Sequence, residues 1–577
     1  AKSMRTRWSK TMKKDVIILG IHDGHNAGAA LIKNGSVAAA IQEERLTNIK
    51  NHSGTPINAI KMVFDAAKID PSDVTAIAIA GLVHSHVPLK ERPLHVRMYE
   101  RFAGLLKYHA VNSILISALH KRRQISELMS EFVKNGVNGK PIMFVEHHTA
   151  HAASAYYQRP WTDDTLVLTL DGAGDGLCST VNIGRNYTLE RIASTTAYNS
   201  PGNVFYSEIT GYLGLKRWEH EYKVMGLAPY GIPDYCIDSI RKIVRVNPDK
   251  PLEFENTIGA YVDRVQKKLV PLLAEQRFDN ISAATQQHFE DIIVQWVKNA
   301  IEHTGLHKVA CAGGMFLNVK ANKLLREQEE IDDIHFYPAA SDEGVAIGAA
   351  MEGYYRFCTH EGIKPEKNDL GPIYYGKEYS NDYIQNVIKD TGWEKNAQYI
   401  DEIESEIGDL LVKGRIVARY NGRDEFGPRG LGNRSILADP RDLKVIRKIN
   451  FAIKHRDFWM PFAASVLDTR KADYFVDAKS APYMIEAFDT KPLAEELIAG
   501  LHPKDMTCRP QTVNDWNPGY KKVLETFQEQ TSVGGVLNTS FNLHGSPMVG
   551  TPEVALYTFE NSGLNALAIG NWLITKE

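Results

Sequence analysis

Apolar runs that each end in a small polar loop recur along the first part of the chain. Residues 16–21 form such a run and predict a buried strand, which Asp23-Gly24 follows. Residues 27–32 and 37–41 then flank Asn34-Gly35, a dipeptide typical of two-residue hairpin turns. The pattern predicts a strand, a polar loop and a hairpin.

The same order of features returns later. Residues 165–170 predict a strand, Asp171-Gly172 follow it, and a second hairpin is expected near residues 184–186. Two copies of this arrangement favour an internally duplicated domain. The alternative is a single α/β domain, because such domains also place Asp-Gly after a strand.

Strands then alternate with helices. Residues 308–312 predict a strand that ends at Gly313-Gly314, with a helix from about Val319. Residues 334–337 predict another strand, and Ser341-Asp342-Glu343 is expected to cap the helix after it. This alternation predicts a mostly parallel sheet with ligand loops at the strand ends.

Regular patterning stops between residues 361 and 381, where proline, glycine, lysine and asparagine dominate. The 577 residues are enough for two domains. We therefore predict one domain over residues 15–365 and a second over residues 366–577.

Composition narrows the function classes. Hydrophobic residues make up 43% and charged residues 24%, the profile of an ordinary globular protein. A net charge of −3 gives no reason to expect a nucleic-acid partner, and no apolar stretch is long enough to cross a membrane. Residues 1–14 are basic and show no signal peptide. Five scattered cysteines without a CxxC pair favour a reducing, cytoplasmic location.

A metal site is predicted after the strand expected at residues 141–145. His147 and His151 are four positions apart, so on a helix they share one face and can bind one divalent ion. Asp171 is a natural third ligand, and Asp342 is a candidate fourth. Two histidines and a carboxylate suit non-haem Fe(II), while zinc is also compatible. The alternatives are a surface histidine pair and an Asp342 that only caps a helix.

Three small-residue loops, Asp23-Gly24, residues 171–174 and Gly313-Gly314, follow predicted strands. Glycine lets backbone N–H groups approach phosphates closely. In this order, the loops resemble the two phosphate loops and the adenosine loop of the actin-like ATPase superfamily.

A basic cluster is the main feature of the second segment. Arginine offers bidentate bonds to phosphate, and lysine a compact charge, so such a set can neutralise a triphosphate together with a second phosphate compound. The alternative is a solvated basic face for RNA, although RNA sites more often interleave aromatic residues. The residues are Arg423, Arg429, Arg434, Lys454, Arg456 and Arg509, followed by Asn538 and Ser540.

Taken together, seven stretches resemble the NodU/CmcH family of O-carbamoyltransferases. They span nearly the whole chain in the family's order, and jointly they are highly specific. The stretches are 20–26 (GIHDGHN), 146–151 (EHHTAH), 171–176 (DGAGDG), 222–230 (YKVMGLAPY), 341–344 (SDEG), 427–434 (GPRGLGNR) and 538–542 (NTSFN).

The resemblance implies an α/β and α+β architecture, with an N-terminal actin-like (ASKHA) duplicated RNase H-like domain and a C-terminal YrdC-like domain. It implies that the second domain makes carbamoyl-adenylate from carbamoyl phosphate and ATP with Mg²⁺. The first domain would then transfer the carbamoyl group to a hydroxyl of a small-molecule acceptor, such as a natural product, toxin or antibiotic. A homodimer is compatible with this scheme.

The resemblance also implies residue roles. His25 matches the family's catalytic histidine, and Asp23 lies in the same loop. Arg429, Lys454, Arg509 and Ser540 match nucleotide or carbamoyl phosphate positions, and Asn318 is grouped with Gly313-Gly314 as a nucleotide contact.

One departure from the family pattern concerns the second site. Where the family typically carries another arginine before Pro-Phe-Ala, this chain has Met460.

Two other functions remain open at this point. One is a tRNA-modifying carbamoylation enzyme. The other is an actin-like nucleotide-dependent binding switch, which would not account for His147 and His151.

Overall fold

The computed structural model describes residues 15–82, 130, 132, 134–261 and 263–576. Residues 1–14, on which the signal-peptide prediction rests, lie outside the described residues. Within the described part of the chain, no helix has the length and apolar character needed to cross a membrane.

The first sheet has five strands in the order β3-β2-β1-β4-β5. β1, β2 and β3 are antiparallel neighbours, whereas β4 and β5 continue the sheet parallel to β1. The predicted hairpin is present, and Asn34 and Gly35 both have positive φ, as this tight turn requires. The strands are β1 (Ile17–His22), β2 (Gly28–Lys33), β3 (Ser36–Gln42), β4 (Ala76–Ala80) and β5 (Ile142–Val145).

The second sheet repeats this plan, in the order β12-β11-β6-β7-β8. β6, β7 and β8 form the antiparallel half, and β11 and β12 add to it in parallel. The duplication expected from the sequence is therefore present in the strand order and directions. The strands are β6 (Thr165–Gly174), β7 (Leu177–Arg185), β8 (Thr188–Thr196), β11 (Lys308–Ala312) and β12 (Asp333–Phe336), with a separate pair β9 (Val244–Val246) and β10 (Phe254–Asn256) between them.

The long helix Val345–Glu361 is packed tightly against its neighbours. A Cβ at Gly348 would lie 1.8 Å from the carbonyl oxygen of Ala150, so only glycine permits this approach to the helix His147–Tyr156. Gly20 of β1 is equally confined, because its Cβ would lie 2.1 Å from the oxygen of Ala346. Gly348 and Gly20 thus allow the helix Val345–Glu361 to pack closely against the helix His147–Tyr156 and against β1.

The second segment, which is the part of the chain from residue 366 on, forms an eight-stranded mixed sheet. The strand order is β13-β20-β19-β14-β15-β18-β16-β17. No helix or strand longer than a single bridge occurs between residues 362 and 380, where we predict the domain boundary. The strands are β13 (Ala397–Tyr399), β14 (Val417–Tyr420), β15 (Arg434–Ala438), β16 (Ala463–Leu467), β17 (Gln511–Val513), β18 (Gly535–Ser540), β19 (Ala566–Ile569) and β20 (Trp572–Thr575).

The α-helices cover the faces of these sheets. In the first segment they are Glu44–Thr47, Ile57–Ala67, His147–Tyr156, Ser207–Tyr212, Glu221–Leu227, Ile237–Ile240, Asp263–Leu273, Phe278–Thr304, Val319–Arg326 and Val345–Glu361. In the second they are Asn381–Asp390, Ile403–Val412, Lys444–Ile449, Lys471–Tyr474, Pro518–Thr531 and Pro552–Glu560. All five cysteines are buried, and none forms a disulfide.

Candidate functional site

The two predicted histidine ligands lie on the helix His147–Tyr156, directly after β5. Glu146 caps this helix, because its carboxylate accepts the backbone N–H of Thr149 at 2.8 Å. His147 and His151 are buried on one face, with their Nε2 atoms 3.0 Å apart. The structure therefore brings the two imidazoles together at the end of the first sheet.

Two carboxylates complete this cluster. Asp342 Oδ1 lies 3.5 Å from the Nε2 atoms of both His147 and His151, and Asp171 Oδ2 lies 3.5 Å from that of His147. The four donor atoms all lie within 4.8 Å of one another. Two ligands at right angles, each about 2.1 Å from an ion, would be about 3 Å apart. The residues present therefore fit a divalent metal ion.

Asp171 is held by the second glycine loop. β6 continues to Gly174, so Asp171 lies within the strand rather than after it, where the strand pairing becomes irregular. The backbone N–H of Gly314 donates to Asp171 Oδ1 at 2.9 Å. Gly313 has φ +109°, a conformation that requires glycine, and this allows the loop to approach the carboxylate.

Asp342 reaches the cluster from a 3₁₀ turn, Asp342–Gly344, and the helix begins only at Val345. Neither Ser341 nor Gly344 provides a side-chain cap. The expectation that Ser341 caps this helix is wrong, because the extra turn moves the helix start beyond the reach of its hydroxyl.

The cluster is strongly coupled electrostatically. Burial opposes protonation of His147, but the charges of Asp342 and Asp171 outweigh it and raise its pKa to about 10. Burial also opposes ionisation of Asp171, yet the hydrogen bond from His147 lowers its pKa to about 2, despite repulsion from Asp342. Two carboxylates thus hold positive charge at this point, which is what a cation site requires.

The candidate catalytic loop lies beside this cluster. His25 Nδ1 is 4.0 Å from Asp342 Oδ2, and the His25 side chain is 30% exposed. Asp23 is buried in the same loop. The sequence interpretation missed His22, which is buried and whose Nε2 donates a 2.9 Å hydrogen bond to the carbonyl of His25. That carbonyl can only accept, so His22 carries its proton on Nε2 and fixes the position of His25.

Glu343 was also missed in the sequence. It is 3% exposed, and burial raises its pKa to about 7, with a further contribution from Asp342 and Glu44. Its carboxylate accepts a long 3.4 Å bond from Asn26, and its charge acts on Arg429 of the second segment. These neighbours are distant from Glu343 in the sequence, apart from Asp342, so no local sequence signal marks it.

Four cations of the second segment converge close to Glu343. Within the described residues, the guanidinium groups of Arg429 and Arg509 have no hydrogen-bond acceptor or carboxylate in contact. Burial and the charge of Arg456 lower the pKa of Arg429 to about 10. Burial and the charges of Arg429 and Arg456 hold the pKa of Arg509 well below its usual range. Such crowding of like charges is relieved by binding an anion.

Lys454 and Arg456 form the other side of this cation cluster. Lys454 is 3% exposed, and its Nζ donates to Asn542 Oδ1 at 2.6 Å and Ser540 Oγ at 3.2 Å. Burial and the charge of Arg456 hold the pKa of Lys454 well below its usual value. Arg456 donates to Thr539 Oγ1 at 3.1 Å. Hydroxyl and amide groups therefore orient the cations without neutralising them.

The loop that carries Arg429 is shaped by a buried carboxylate. Glu425 Oε1 accepts the backbone N–H groups of Leu431, Asn433 and Arg434 at 2.7, 2.8 and 3.1 Å. Asn538 donates to the carbonyl of Gly430 at 3.1 Å from the sheet below. Asn538 is 1% exposed, so we assign it to support of the loop rather than to direct contact with a ligand.

Three predicted nucleotide contacts have other partners in the structure. Arg423 donates to the carbonyls of Gly376, Tyr375 and Ala38, and Arg434 donates to those of Asn421, Gly422 and Asn433. The Asn318 side chain caps the helix Val319–Arg326 and bonds to Gln286. All three side chains bond to protein groups, although Arg434 Nε has no partner, so we propose structural roles for them instead of nucleotide contact.

Met460, which stands where the family has an arginine, contacts the first segment instead. A Cβ at Gly226 would lie 3.0 Å from Met460 Sδ, so the thioether packs against the helix Glu221–Leu227. Next to it, Trp459 Nε1 donates to the carbonyl of Lys223 at 3.1 Å. The position therefore joins the two segments and adds no charge to the cation cluster.

Two π-helical segments flank the site, and the sequence did not indicate either. Pro201–Tyr206 lies behind the Asp171 loop, where a Cβ at Gly202 would lie 3.1 Å from the Cα of Gly172. Asn450–Lys454 ends at Lys454 of the cation cluster. Such turns are rare and frequently occur at functional sites.

Two solved structures illustrate a remote likeness to this chain. The crystal structure of HypF from T. kodakarensis is 13% identical, with a TM-score of 0.35, over 62% of this chain and 49% of that one. The (R)-2-hydroxyglutaryl-CoA dehydratase component A of Acidaminococcus fermentans is 15% identical, with a TM-score of 0.34, over 60% of this chain and 99% of that one.

Sequence relatives are much nearer. An uncharacterized protein of Methanocaldococcus jannaschii is 31% identical over 97% of this chain and 100% of its own length. The nodulation protein NolNO of Sinorhizobium fredii is 30% identical over 96% of this chain and 79% of its own. Family models described as the carbamoyltransferase N-terminus and C-terminus match residues 17–351 and 408–576. The chain therefore belongs to the carbamoyltransferase family and is a carbamoyltransferase enzyme.

Proposed function

We propose that this enzyme uses ATP and carbamoyl phosphate to carbamoylate a hydroxyl of a small-molecule acceptor. The observation that carries the proposal is the cation cluster, in which the guanidinium groups of Arg429 and Arg509 form no hydrogen bond or ion pair within the described residues, together with the metal-ligand cluster. A polyanion such as ATP supplies the missing negative charge. The family membership supplies the carbamoyl chemistry.

The first half-reaction is assigned to the second segment. Carbamoyl phosphate is cleaved by water to phosphate and carbamate, and a carbamate oxygen attacks the α-phosphorus of ATP. Pyrophosphate leaves, and carbamoyl-adenylate remains. Arg429, Lys454, Arg456 and Arg509 would hold the phosphates, with Mg²⁺ brought by the nucleotide. Concentrated positive charge at the phosphorus stabilises the additional negative charge of the transition state.

The second half-reaction is assigned to the first segment. The acceptor hydroxyl attacks the carbonyl carbon of carbamoyl-adenylate, the bond to AMP breaks, and the hydroxyl proton must be taken up. His25 is placed to accept that proton or to stabilise charge on the carbonyl oxygen, with Asp23 in the same loop. His147, His151, Asp171 and Asp342 would hold Fe(II) or a similar divalent ion, which as a Lewis acid polarises a bound oxygen.

The arrangement of the two clusters supports passage of the intermediate between them. Arg45 of the first segment donates to the carbonyl of Gly427 at 2.6 Å, and a Cβ at Gly427 would lie 3.3 Å from that of Ala339, so the loop that carries Arg429 packs on the first segment near Asp342. Carbamoyl-adenylate that stays between them is protected from water. We further propose that the first segment, residues 15–365, is actin-like, in keeping with its duplicated strand order, and that residues 366–577 are YrdC-like. The homodimer and the cytoplasmic location remain predictions.

The proposal is tested by incubating the enzyme with ATP, carbamoyl phosphate and a panel of hydroxyl compounds. Mass spectrometry should show an acceptor heavier by one carbamoyl group, together with AMP and pyrophosphate. If ATP yields ADP and phosphate alone, or if no hydroxyl compound gains a carbamoyl group, the proposal is wrong.

A further inference from the structure

Trp218 combines an exposed indole with a backbone conformation that bulky residues rarely adopt. Its exposed fraction is 61% and its φ is +63°. Left-handed backbone strains an aromatic residue, and such strain persists only where the surroundings hold it. A large apolar ring kept in solvent at the cost of strain indicates a contact with a ligand.

Three hydrogen bonds hold Trp218 in this position. Its backbone N–H donates to Glu221 Oε1 at 2.6 Å and to Ser207 Oγ at 3.2 Å. Its indole Nε1 donates to Asn203 Oδ1 at 3.1 Å. Because the indole N–H is already used and the ring is tethered, the surface that remains for a ligand is its apolar face.

Asn203 connects this ring to the metal-ligand cluster. A Cβ at Gly172 would lie 2.7 Å from Asn203 Oδ1, so the amide rests on the residue that follows Asp171. Asn203 belongs to the π-helical segment Pro201–Tyr206. One side chain therefore separates the indole from the loop that carries a metal-ligand candidate.

The other side of the Trp218 segment faces the cation cluster. Lys223, on the helix that follows Trp218, forms a 3.0 Å ion pair with Asp457, the residue after Arg456, and its carbonyl accepts from Trp459 Nε1 at 3.1 Å. Trp218 is thus linked through Asn203 to the Asp171 loop and through the following helix to the neighbours of Arg456, so a ligand on its indole would lie near both clusters.

The segment offers no net charge to that acceptor. Residues 216–221 contain two cations and two carboxylates. Lys216 forms an ion pair with Glu219, and Arg217 pairs with the buried Glu208 at 2.7 Å. A charged ligand would gain little from this surface, whereas a neutral one is compatible with it.

We propose that Trp218 is the platform for the acceptor, and that the acceptor is a neutral, saturated, polyhydroxylated ring whose apolar C–H face stacks on the indole. This inference rests on the proposed transfer to a hydroxyl, which requires the hydroxylated edge of the ring. Trp218 acts as a positioning residue for the acceptor and takes no part in forming carbamoyl-adenylate.

Binding is tested directly by saturation-transfer NMR with methyl α-glucopyranoside and myo-inositol, and with glucosamine as a cationic ring. Trp218→Gly removes the platform and also relieves the positive φ, so the variant is expected to fold. Trp218→Phe retains a stacking face. Tyr235→Ala, which removes a 66% exposed tyrosine elsewhere, is the matched control.

We expect saturation of the ring C–H protons of the neutral compounds with wild type, Trp218→Phe and Tyr235→Ala, and a loss of about fivefold or more with Trp218→Gly. Glucosamine should bind no better at low salt than the neutral rings. Binding that survives in Trp218→Gly, or a wild type that saturates neither neutral ring, would overturn the inference.

The same variants separate this inference from the proposed function. Carbamoyl-adenylate formation should be equal in all of them, and the acceptor KM should rise in Trp218→Gly while kcat changes little. If wild type formed no carbamoyl-adenylate but still bound the rings through Trp218, the proposed function would be wrong and the platform would stand.

Discussion

Glu425 provides a test of how the anion site is built. One oxygen of this carboxylate, which is 1% exposed, accepts three backbone N–H groups of the loop that carries Arg429. We predict that Glu425→Ala disorders this loop, whereas Glu425→Gln largely preserves it. The reason is that all three bonds go to Oε1, and glutamine can place its carbonyl oxygen in the same position.

The magnitudes follow from the number and type of these bonds. In Glu425→Ala three buried N–H groups lose their acceptor at about 1–3 kcal/mol each, so about 3–6 kcal/mol is expected after some relaxation. Glu425→Gln keeps three neutral bonds in place of charge-assisted ones, which are about twice as strong, so about 1–2 kcal/mol is expected.

The assay combines urea unfolding with carbamoyl-adenylate formation. Glu425→Ala should lose most adenylate formation at temperatures where it remains folded, because Arg429 is no longer positioned. Transfer from supplied carbamoyl-adenylate should persist. Glu529→Ala, on the exposed side of the helix Pro518–Thr531, is the control. A Glu425→Ala variant with wild-type stability and adenylate formation would refute this account of the loop.

Three further predictions concern the first segment and its junction with the second. Gly313→Ala should cost more than about 1 kcal/mol of stability and lower metal occupancy, because its Cβ would lie 2.3 Å from the Leu170 carbonyl oxygen. Urea unfolding measures the stability, and elemental analysis measures the metal occupancy. His147→Ala should lose most bound metal by elemental analysis, because a two-histidine site loses much affinity with one ligand. Burial works against ionisation of Asp505, but its partners His502 and Lys320 outweigh burial and lower its pKa. Asp505→Asn should therefore be less stable than wild type at pH 7. This difference in stability should shrink as the pH falls below 3.8, where the unfolded carboxyl becomes protonated.

Matched controls make these outcomes decisive. Gly362→Ala places a side chain at φ +69° in open space, so it tests strain without a clash. His360→Ala removes a 63% exposed histidine, and it should not alter metal content. Asp515→Asn breaks an ion pair of an 89% exposed aspartate and should be pH-independent within error. Metal loss in His360→Ala, or a pH-independent deficit in Asp505→Asn, would contradict the corresponding prediction.

The parts of the fold that depend on residues close together in the sequence were predictable. Asn34-Gly35 indicated its hairpin because few other dipeptides accept two positive φ values. The spacing of His147 and His151 predicted a shared face because it depends only on helix geometry. The repeat of strand, loop and hairpin was visible because each copy is built from consecutive residues.

Features that depend on distant contacts were not predictable. The burial of Glu343 and the three backbone bonds to Glu425 exist only in the folded chain, so neither carboxylate stands out in the sequence. Arg423 and Arg434 had the same glycine-rich surroundings as Arg429, so the sequence could not show that their guanidinium groups bond to carbonyls. The role of an arginine is decided by which acceptors remain near it after folding.

The most direct test of the central claim crosses the two half-reactions with one variant in each segment. Arg429→Ala should form no carbamoyl-adenylate, yet transfer the carbamoyl group from supplied carbamoyl-adenylate at the wild-type rate. His25→Asn should form carbamoyl-adenylate normally, but transfer about a hundredfold more slowly in a single turnover. If each variant fails equally at both steps, the assignment of activation and transfer to separate segments is contradicted.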